Sequence, residues 1–360
     1  MLSGAGIVGA GGVGRLHVDA LRRLGVRVAG VAAATAELAA RDAEELGLEP
    51  QAAFASAEAL IHSPAVSVVH VCTPNALHAR HCRAALAAGK HVVVEKPLTT
   101  SSDAAEQLLA QAQDAGVTHA VCHNYRYYTM VQALRSLVAR GNLGRVRAVR
   151  ATWALEELLM LDAEHWMFDR AQMGPALALA DVGVHLWDLV EHVVDERITA
   201  VICETQVARS HATASGEDTA AVLARCTGEV LVDALISQAV PGHGNTVVLE
   251  VVGERASAEW DIRAADRLVV RGLGGRHRVV ERGSAEVTAL GVTTGLAHGQ
   301  PEGHADATRA LMARVYRRIA GDRDAEHPTF ADGARGLHVL EALLASARDR
   351  RWTPVIPSPA

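Results

Sequence analysis

Short apolar runs alternate with amphipathic stretches along roughly the first 120 residues. "AGIV" reads as a strand and "VGRLHVDALRRL" as a helix; "VRVAGVAA" and "TAELAARDAEEL" repeat the pair. "VSVVHVC", "ALHARHCRAALAAG", "HVVVE", "SSDAAEQLLAQAQDAG" and "THAVC" continue the same alternation. Strands apolar throughout, each followed by a helix, predict a parallel sheet covered on both faces. Thr35 and Ser102 are expected to cap the helices that follow them.

Beyond about residue 123 the rhythm changes. The helix "MVQALRSLVARG" leads into "GRVRAVRATWAL", which alternates like a half-exposed antiparallel strand. "ITAVICETQVA", "TAAVLARCTGEVLVDALISQAV", "TVVLEVVGERASAEWDI" and "RLVVRG" follow with turns and no helices between them, and two helices close the chain. The pattern predicts an α/β N-terminal domain at 1–123 with a doubly wound parallel sheet. Residues 124–360 are expected to form an α+β domain with a large, mainly antiparallel open sheet.

Composition narrows the picture. At 360 residues the chain exceeds the usual span of one core, which supports two domains. A net charge of −6 gives no basic surplus for nucleic acid or an anionic membrane. The opening "MLSGAGIVGAGGVG" lacks the positive n-region of a secretory signal, and no run reaches the ~20 apolar residues of a membrane span. Five scattered cysteines without a C-x-x-C pair fit a reducing cytoplasm and argue against disulfides or a zinc site.

"IVGAGGVGRLH" spells G-x-G-x-x-G at Gly9, Gly11 and Gly14, after a strand and at the opening of a helix, with Gly12 and Val13 inside the loop. Such glycines permit a tight turn and let a pyrophosphate approach the backbone at a helix N-terminus, so a dinucleotide is the expected ligand. An acid that would hold the ribose 2′-hydroxyl of NAD is missing at the end of the second strand, where Ala32, Ala33, Ala34 and Thr35 stand. Thr35 or Arg41 could contact a 2′-phosphate, and NAD and NADP both stay open.

"HVVVEKPLTT" runs an apolar strand straight into Glu95 and Lys96. Only two lysines occur in the chain, Lys90 and Lys96, among many arginines. A lysine where arginine is the habitual cation suggests a task for an amine that can shift its pKa. The plain alternative is a strand-end ion pair.

"GAGGVGRLH", "TPNALHARHCRAALAAGKHVVVEKPL", "NYRYY" and "DVGVHLWDL", in that order, resemble the Gfo/Idh/MocA family, named for glucose–fructose oxidoreductase and inositol dehydrogenase. The later "SQAVPGHGN", "EVVGERASAEWD" and "FADGARGLHVLEALLASARDRRWTPV" look most like its sugar dehydrogenases. The resemblance implies a Rossmann domain and an NAD(P)-dependent dehydrogenase acting on a secondary alcohol of a sugar, sugar derivative or cyclitol. It implies that Thr73, Pro74, Asn75 and His78 line the nicotinamide side of the cofactor. Glu95 and Lys96 match its E-K-P motif, whose lysine reaches nicotinamide ribose and substrate. Asn124 and Arg126 match N-x-R, with substrate contacts. Asp181 and His185 match D-x-G-x-H, where the histidine is the proton acceptor and the aspartate touches substrate. Trp166 and His304 are further candidates for the substrate pocket, and a homodimer or homotetramer through the C-terminal sheet is implied.

Chemistry supports the same assignment. An imidazole with an unperturbed pKa of about 6.5 suits removal of a hydroxyl proton at neutral pH. Four residues apart on a helix, Asp181 and His185 share a face, and Lys96 would stabilise the developing alkoxide. No metal is expected, because Asp181, His185 and Asp188 have no thiol or second histidine at ligand spacing. His185 as a satisfied core histidine and "NYRYY" as a packed aromatic corner are the plain alternatives. Two departures from the family pattern stand out: Thr129 where a proline usually lies, and "QMGPALALA" (172–180) in place of a glycine-rich run. An NAD-dependent glycosidase using transient oxidation shares the scaffold, as does a non-catalytic dinucleotide sensor; retention of Lys96, Asp181 and His185 together disfavours the sensor.

Overall fold

A computed structural model describes residues 4–209, 216–297 and 299–356. It divides into two units, one of Met1–Asn124 with Thr308–Leu337 and one of Tyr125–Ala307 with His338–Ala360.

The first unit follows the predicted alternation. Its strands are β1 (Ala5–Val8), β2 (Val28–Ala32), β3 (Ala53–Phe54), β4 (Val68–Val71), β5 (His91–Val94) and β6 (His119–Val121). Between them lie α1 (Gly12–Arg23), α2 (Ala36–Glu45), α3 (Ala57–His62), α4 (Asn75–Ala87) and α5 (Ser102–Ala115). The strands form one parallel sheet in the order β3-β2-β1-β4-β5-β6, so the chain reverses direction of growth between β1 and β4. In such a sheet ligands bind beyond the carboxyl ends of the strands at that switch point. β1 and β4 are buried along their whole length, as strands covered on both faces must be.

Local signals mostly act as read. Thr35 Oγ1 accepts from Leu38 N and caps α2. At α5 the cap is Ser101 and not Ser102, since the Ser101 hydroxyl accepts from Ala104 N. Both serines suit the role; the extended backbone one residue earlier decides it. β3 and α3 escaped the sequence reading because two strand residues and one and a half helical turns are too short to show a period.

The second unit carries α6 (Thr129–Ala139), β7 (Val146–Ala154), α7 (Glu157–Met160), α8 (Arg170–Met173) and α9 (Val184–Val194). Its remaining strands are β8 (Ile198–Gln206), β9 (Thr219–Cys226), β10 (Leu231–Ser237), β11 (Thr246–Gly253), β12 (Ala256–Asp261), β13 (Arg267–Gly272) and β14 (His277–Glu281). After α10 (Ala285–Ala289) come α11 (His304–Ile319), α12 (Phe330–Asp349) and β15 (Thr353–Pro354); both long helices begin in one unit and end in the other. The nine-stranded sheet has the order β14-β13-β12-β11-β7-β10-β9-β8-β15, antiparallel except where β10 runs parallel to β7. β9 and β10 alternate buried and exposed residues, leaving Leu223, Leu231 and Leu235 on the open face. β14 has a single buried residue, Val280, and so left no apolar pattern to read.

On the covered face Trp260 is fully buried, its indole N–H donating to Ala265 O at 3.1 Å and its ring 5.1 Å from Tyr128. Removing it leaves a large cavity and an unpaired carbonyl. Trp260→Ala should cost about 3–5 kcal/mol, read as a lowered denaturation midpoint; an unchanged midpoint would contradict this packing.

Candidate active site

The glycine loop is shaped by what it excludes. Gly9 has φ +90°, and a Cβ there would lie 2.6 Å from Cys72 O. A Cβ on Gly14 would lie 2.1 Å from Gly9 O, so α1 starts as close to β1 as backbone allows. Gly11 and Gly12 have nothing within 4 Å of a Cβ position, and no side chain caps α1. A groove of bare backbone at a helix N-terminus suits phosphate. Val13 is exposed beside it. Nearby in the chain order of strand ends, Thr73 Oγ1 is buried without a hydrogen-bond partner, an unmet polar group that a ligand would satisfy. These features fit a dinucleotide. At the end of β2, Ala32 is buried, Ala33 and Ala34 follow, and Thr35 is occupied as the α2 cap. Arg41 lies 3.8 Å from Glu45 on the helix surface.

Beyond β4, Pro74 and Asn75 open α4, and Asn75 is buried. His78 is completely buried, with Nδ1 2.8 Å from Pro97 O and Nε2 2.8 Å from Thr73 O. It thus ties the loop after β4 to the loop after β5, and burial lowers its pKa despite both carbonyls. The Lys96–Pro97 peptide is cis. Glu95 Oε2 accepts from Lys96 N at 3.2 Å, and its Oε1 lies 2.9 Å from His17 Nε2. Burial would raise the Glu95 pKa, but the hydrogen bond and charge of His17, with the charge of Lys96, hold it down to about 2. Ligand atoms of His17, Glu95 and Cys122 lie within 4.8 Å of one another. Their N, O and S types are those of a transition-metal site, but hydrogen bonds already join the cluster and we assign it no metal. Asn124 Nδ2, in the same unit, donates to Thr308 Oγ1 at 2.8 Å.

In the second unit, Asp181 sits on a π-helical turn, Leu179–Gly183, that runs directly into α9. Such turns widen a helix locally and occur often at functional sites. Asp181 Oδ2 accepts from Gln238 Nε2 at 2.8 Å. His185, on the first turn of α9, is buried, its ring stacked at 5.8 Å and 20° to Trp153 and 5.0 Å from Tyr125. Tyr125 also lies 5.5 Å from His304, so the aromatic corner and the histidines form one cluster. Arg126 binds Asp188 through two of its nitrogens, Nε to Oδ2 at 2.8 Å and Nη2 to Oδ1. Trp166 begins a short 3-10 turn with its ring 5.9 Å from His165.

Residues 4–123 match the model of the "Oxidoreductase family, NAD-binding Rossmann fold", and residues 131–259 match the GFO/IDH/MocA C-terminal domain. The chain belongs to the Gfo/Idh/MocA family. Levoglucosan dehydrogenase from Pseudarthrobacter phenanthrenivorans is 25% identical over 97% of each chain. Glucose-6-phosphate 3-dehydrogenase from Bacillus subtilis is 25% identical over 93% of this chain and 94% of its own. The crystal structure of an inositol dehydrogenase homolog from Azotobacter vinelandii, complexed with NADH and myo-inositol, is 27% identical with a TM-score of 0.87 over 97% of each chain. The protein is therefore an NAD(P)-dependent oxidoreductase acting on CH–OH groups.

Against that family background, both departures find local compensation. Thr129 uses the N–H a proline would lack: its N and Oγ1 donate to Glu302 Oε2 and Oε1 at 2.8 and 2.7 Å. In 172–180, Leu177 N and Leu179 N donate to buried Glu217 Oε1 at 3.1 and 2.8 Å, which fixes an apolar wall ahead of Asp181. Sequence reasoning missed Gln238, Glu217, His17, His70 and Tyr316. His17 closes "GAGGVGRLH" and Gln238 stands in "SQAVPGHGN", but neither stretch assigns them a role, and only strand order shows that His17, Glu95 and Cys122 meet.

Gly11→Ala should leave the melting temperature within experimental error, because its Cβ meets nothing, yet weaken NADH binding about tenfold or more, roughly 1.4 kcal/mol. Gly14→Ala should destabilise the fold itself. Equal NADH affinity in Gly11→Ala and wild type would remove the phosphate site from this loop.

Proposed function

We propose that the enzyme transfers a hydride between the nicotinamide and a secondary alcohol or ketone of a sugar, sugar derivative or cyclitol. The observation that carries the reading is the helical segment of the second unit, where Gln238 holds Asp181 and two aromatic rings hold His185. The named activities of relatives that align along nearly the whole chain support the substrate class.

His185 takes the hydroxyl proton on oxidation and returns it on reduction, its ring orientation fixed by Trp153 and Tyr125. Asp181 accepts a substrate hydroxyl and is kept in place by Gln238. Lys96, on the strand end braced by Glu95, stabilises negative charge on the reacting oxygen. When bound, the nicotinamide accepts or supplies the hydride. Gly9, Gly11, Gly12 and Gly14 hold its phosphates, and Thr73 hydrogen-bonds the cofactor. With no acid at Ala32–Thr35, we expect weak discrimination between NAD and NADP.

The open face of β9 and β10 exposes three leucines between charged neighbours, and we assign to it a homo-oligomeric contact. A solution mass equal to one chain would contradict this. The five cysteines are free thiols, a usage that fits a reducing cytoplasm.

The test is a matrix of NAD and NADP against inositols, aldoses and anhydro sugars, following reduced-nicotinamide absorbance. One substrate should turn over with KM values for the two cofactors within about tenfold of each other. In that substrate, His185→Ala should lower kcat about 100-fold or more with little change in cofactor affinity. Wild-type turnover in His185→Ala would remove it from the mechanism.

A further inference from the structure

His17 gathers three strand ends of the first unit around one imidazole. It is fully buried on α1, three residues past Gly14. Its Nε2 meets Glu95 Oε1 at 2.9 Å and Cys122 Sγ at 3.6 Å; its Nδ1 meets His70 Nδ1 at 2.9 Å and Cys72 Sγ at 3.4 Å. His70 Nε2 in turn lies 2.9 Å from the Tyr316 hydroxyl. Cys72, Glu95 and Cys122 follow β4, β5 and β6, three neighbouring strands.

We propose that the buried chain Tyr316–His70–His17–Glu95 positions Lys96 and couples it to the helix whose N-terminus holds the cofactor phosphates. His17 is thereby a positioning residue for hydride transfer; the assignment of that reaction rests on the proposed function.

Three observations support this. First, stability alone does not call for the chain. Well-packed apolar residues of similar volume usually match or exceed a buried ion pair, and the surrounding strands are built from Val. Second, the chain has one consistent direction. A protonated His17 donates from Nε2 to Glu95 and from Nδ1 to His70 Nδ1; His70 then donates from Nε2 to the Tyr316 oxygen. Burial opposes charge on His17, and the Glu95 carboxylate 2.9 Å from Nε2 is the negative charge that favours it. Burial and the charge of His17 keep His70 neutral, well below its ordinary value. Third, both ends are anchored where function needs them. Glu95 Oε2 fixes the Lys96 backbone N–H, and α1 carries Gly12 and Gly14 in its first turn. A phosphate that orders the start of α1 therefore also orders His17, and the carboxylate behind Lys96 with it.

The test compares His17→Gln, which keeps a donor for Glu95, with His17→Leu, which keeps volume only, and with Tyr316→Phe. His17→Leu should lower kcat about tenfold or more with the NADH dissociation constant within threefold of wild type, and His17→Gln should restore most of kcat. Full turnover in His17→Leu, or equal losses in both variants, would overturn the proposal. If His17→Leu does not fold, Tyr316→Phe decides: a several-fold loss of kcat at unchanged melting temperature supports the chain, and none refutes it.

A readout without turnover separates this from the activity itself. In 15N-histidine NMR at neutral pH, His17 should have both ring nitrogens protonated, and its signals should move when NADH binds. A neutral His17, or signals indifferent to saturating NADH, would refute the coupling. The expected signals in a protein that reduces no sugar ketone and oxidises no sugar would instead refute only the assigned substrate class.

Discussion

No side chain fits between the start of α1 and the end of β1. A methyl group on Gly14 would sit 2.1 Å from Gly9 O, and one on Gly9 would strike Cys72 O. That closeness lets the helix begin directly over the strand ends, with bare backbone donors facing open space at Gly11 and Gly12. It also fixes where α1 lies further along, and so brings His17 onto the ends of β4, β5 and β6. The open backbone at Gly11 and Gly12 and the seat of His17 beside Glu95 are thus two consequences of one packing constraint.

Polar residues in both units are spent on holding other polar residues still. Glu95 braces Lys96, Gln238 braces Asp181, Glu217 braces the backbone at Leu177 and Leu179, and Glu302 braces Thr129. Buried polar groups of this kind are expensive to leave unmet, so each partner restricts its segment to one geometry. Preorganisation of this sort is what electrostatic stabilisation of a developing alkoxide requires.

How much of this was legible depended on range. The parallel sheet was visible because strands buried on both faces are continuous apolar runs, as in "HVVV" and "VVHV". β14 was not, since an edge strand burying only Val280 has no pattern. Motifs pointed to Lys96, Asp181 and His185, whose spacing is local. His78 falls in the motif that the resemblance places beside the cofactor, but its ring contacts, 2.8 Å to Pro97 O and to Thr73 O, belong to no local pattern. The His70 contact with Tyr316 joins residues 246 apart, and Gln238 meets Asp181 from 57 residues away. Long-range side-chain contacts of this kind follow from strand order, which the sequence pattern leaves undetermined.

The central claim is direct hydride transfer between a carbinol carbon and the nicotinamide. Its most direct test uses a sugar or cyclitol substrate deuterated at the reacting carbon, with mass spectrometry of cofactor and product. One deuterium is expected on the reduced nicotinamide, with a product that has lost it. Deuterium retained in the product with no net reduced cofactor, or released to water, would contradict it.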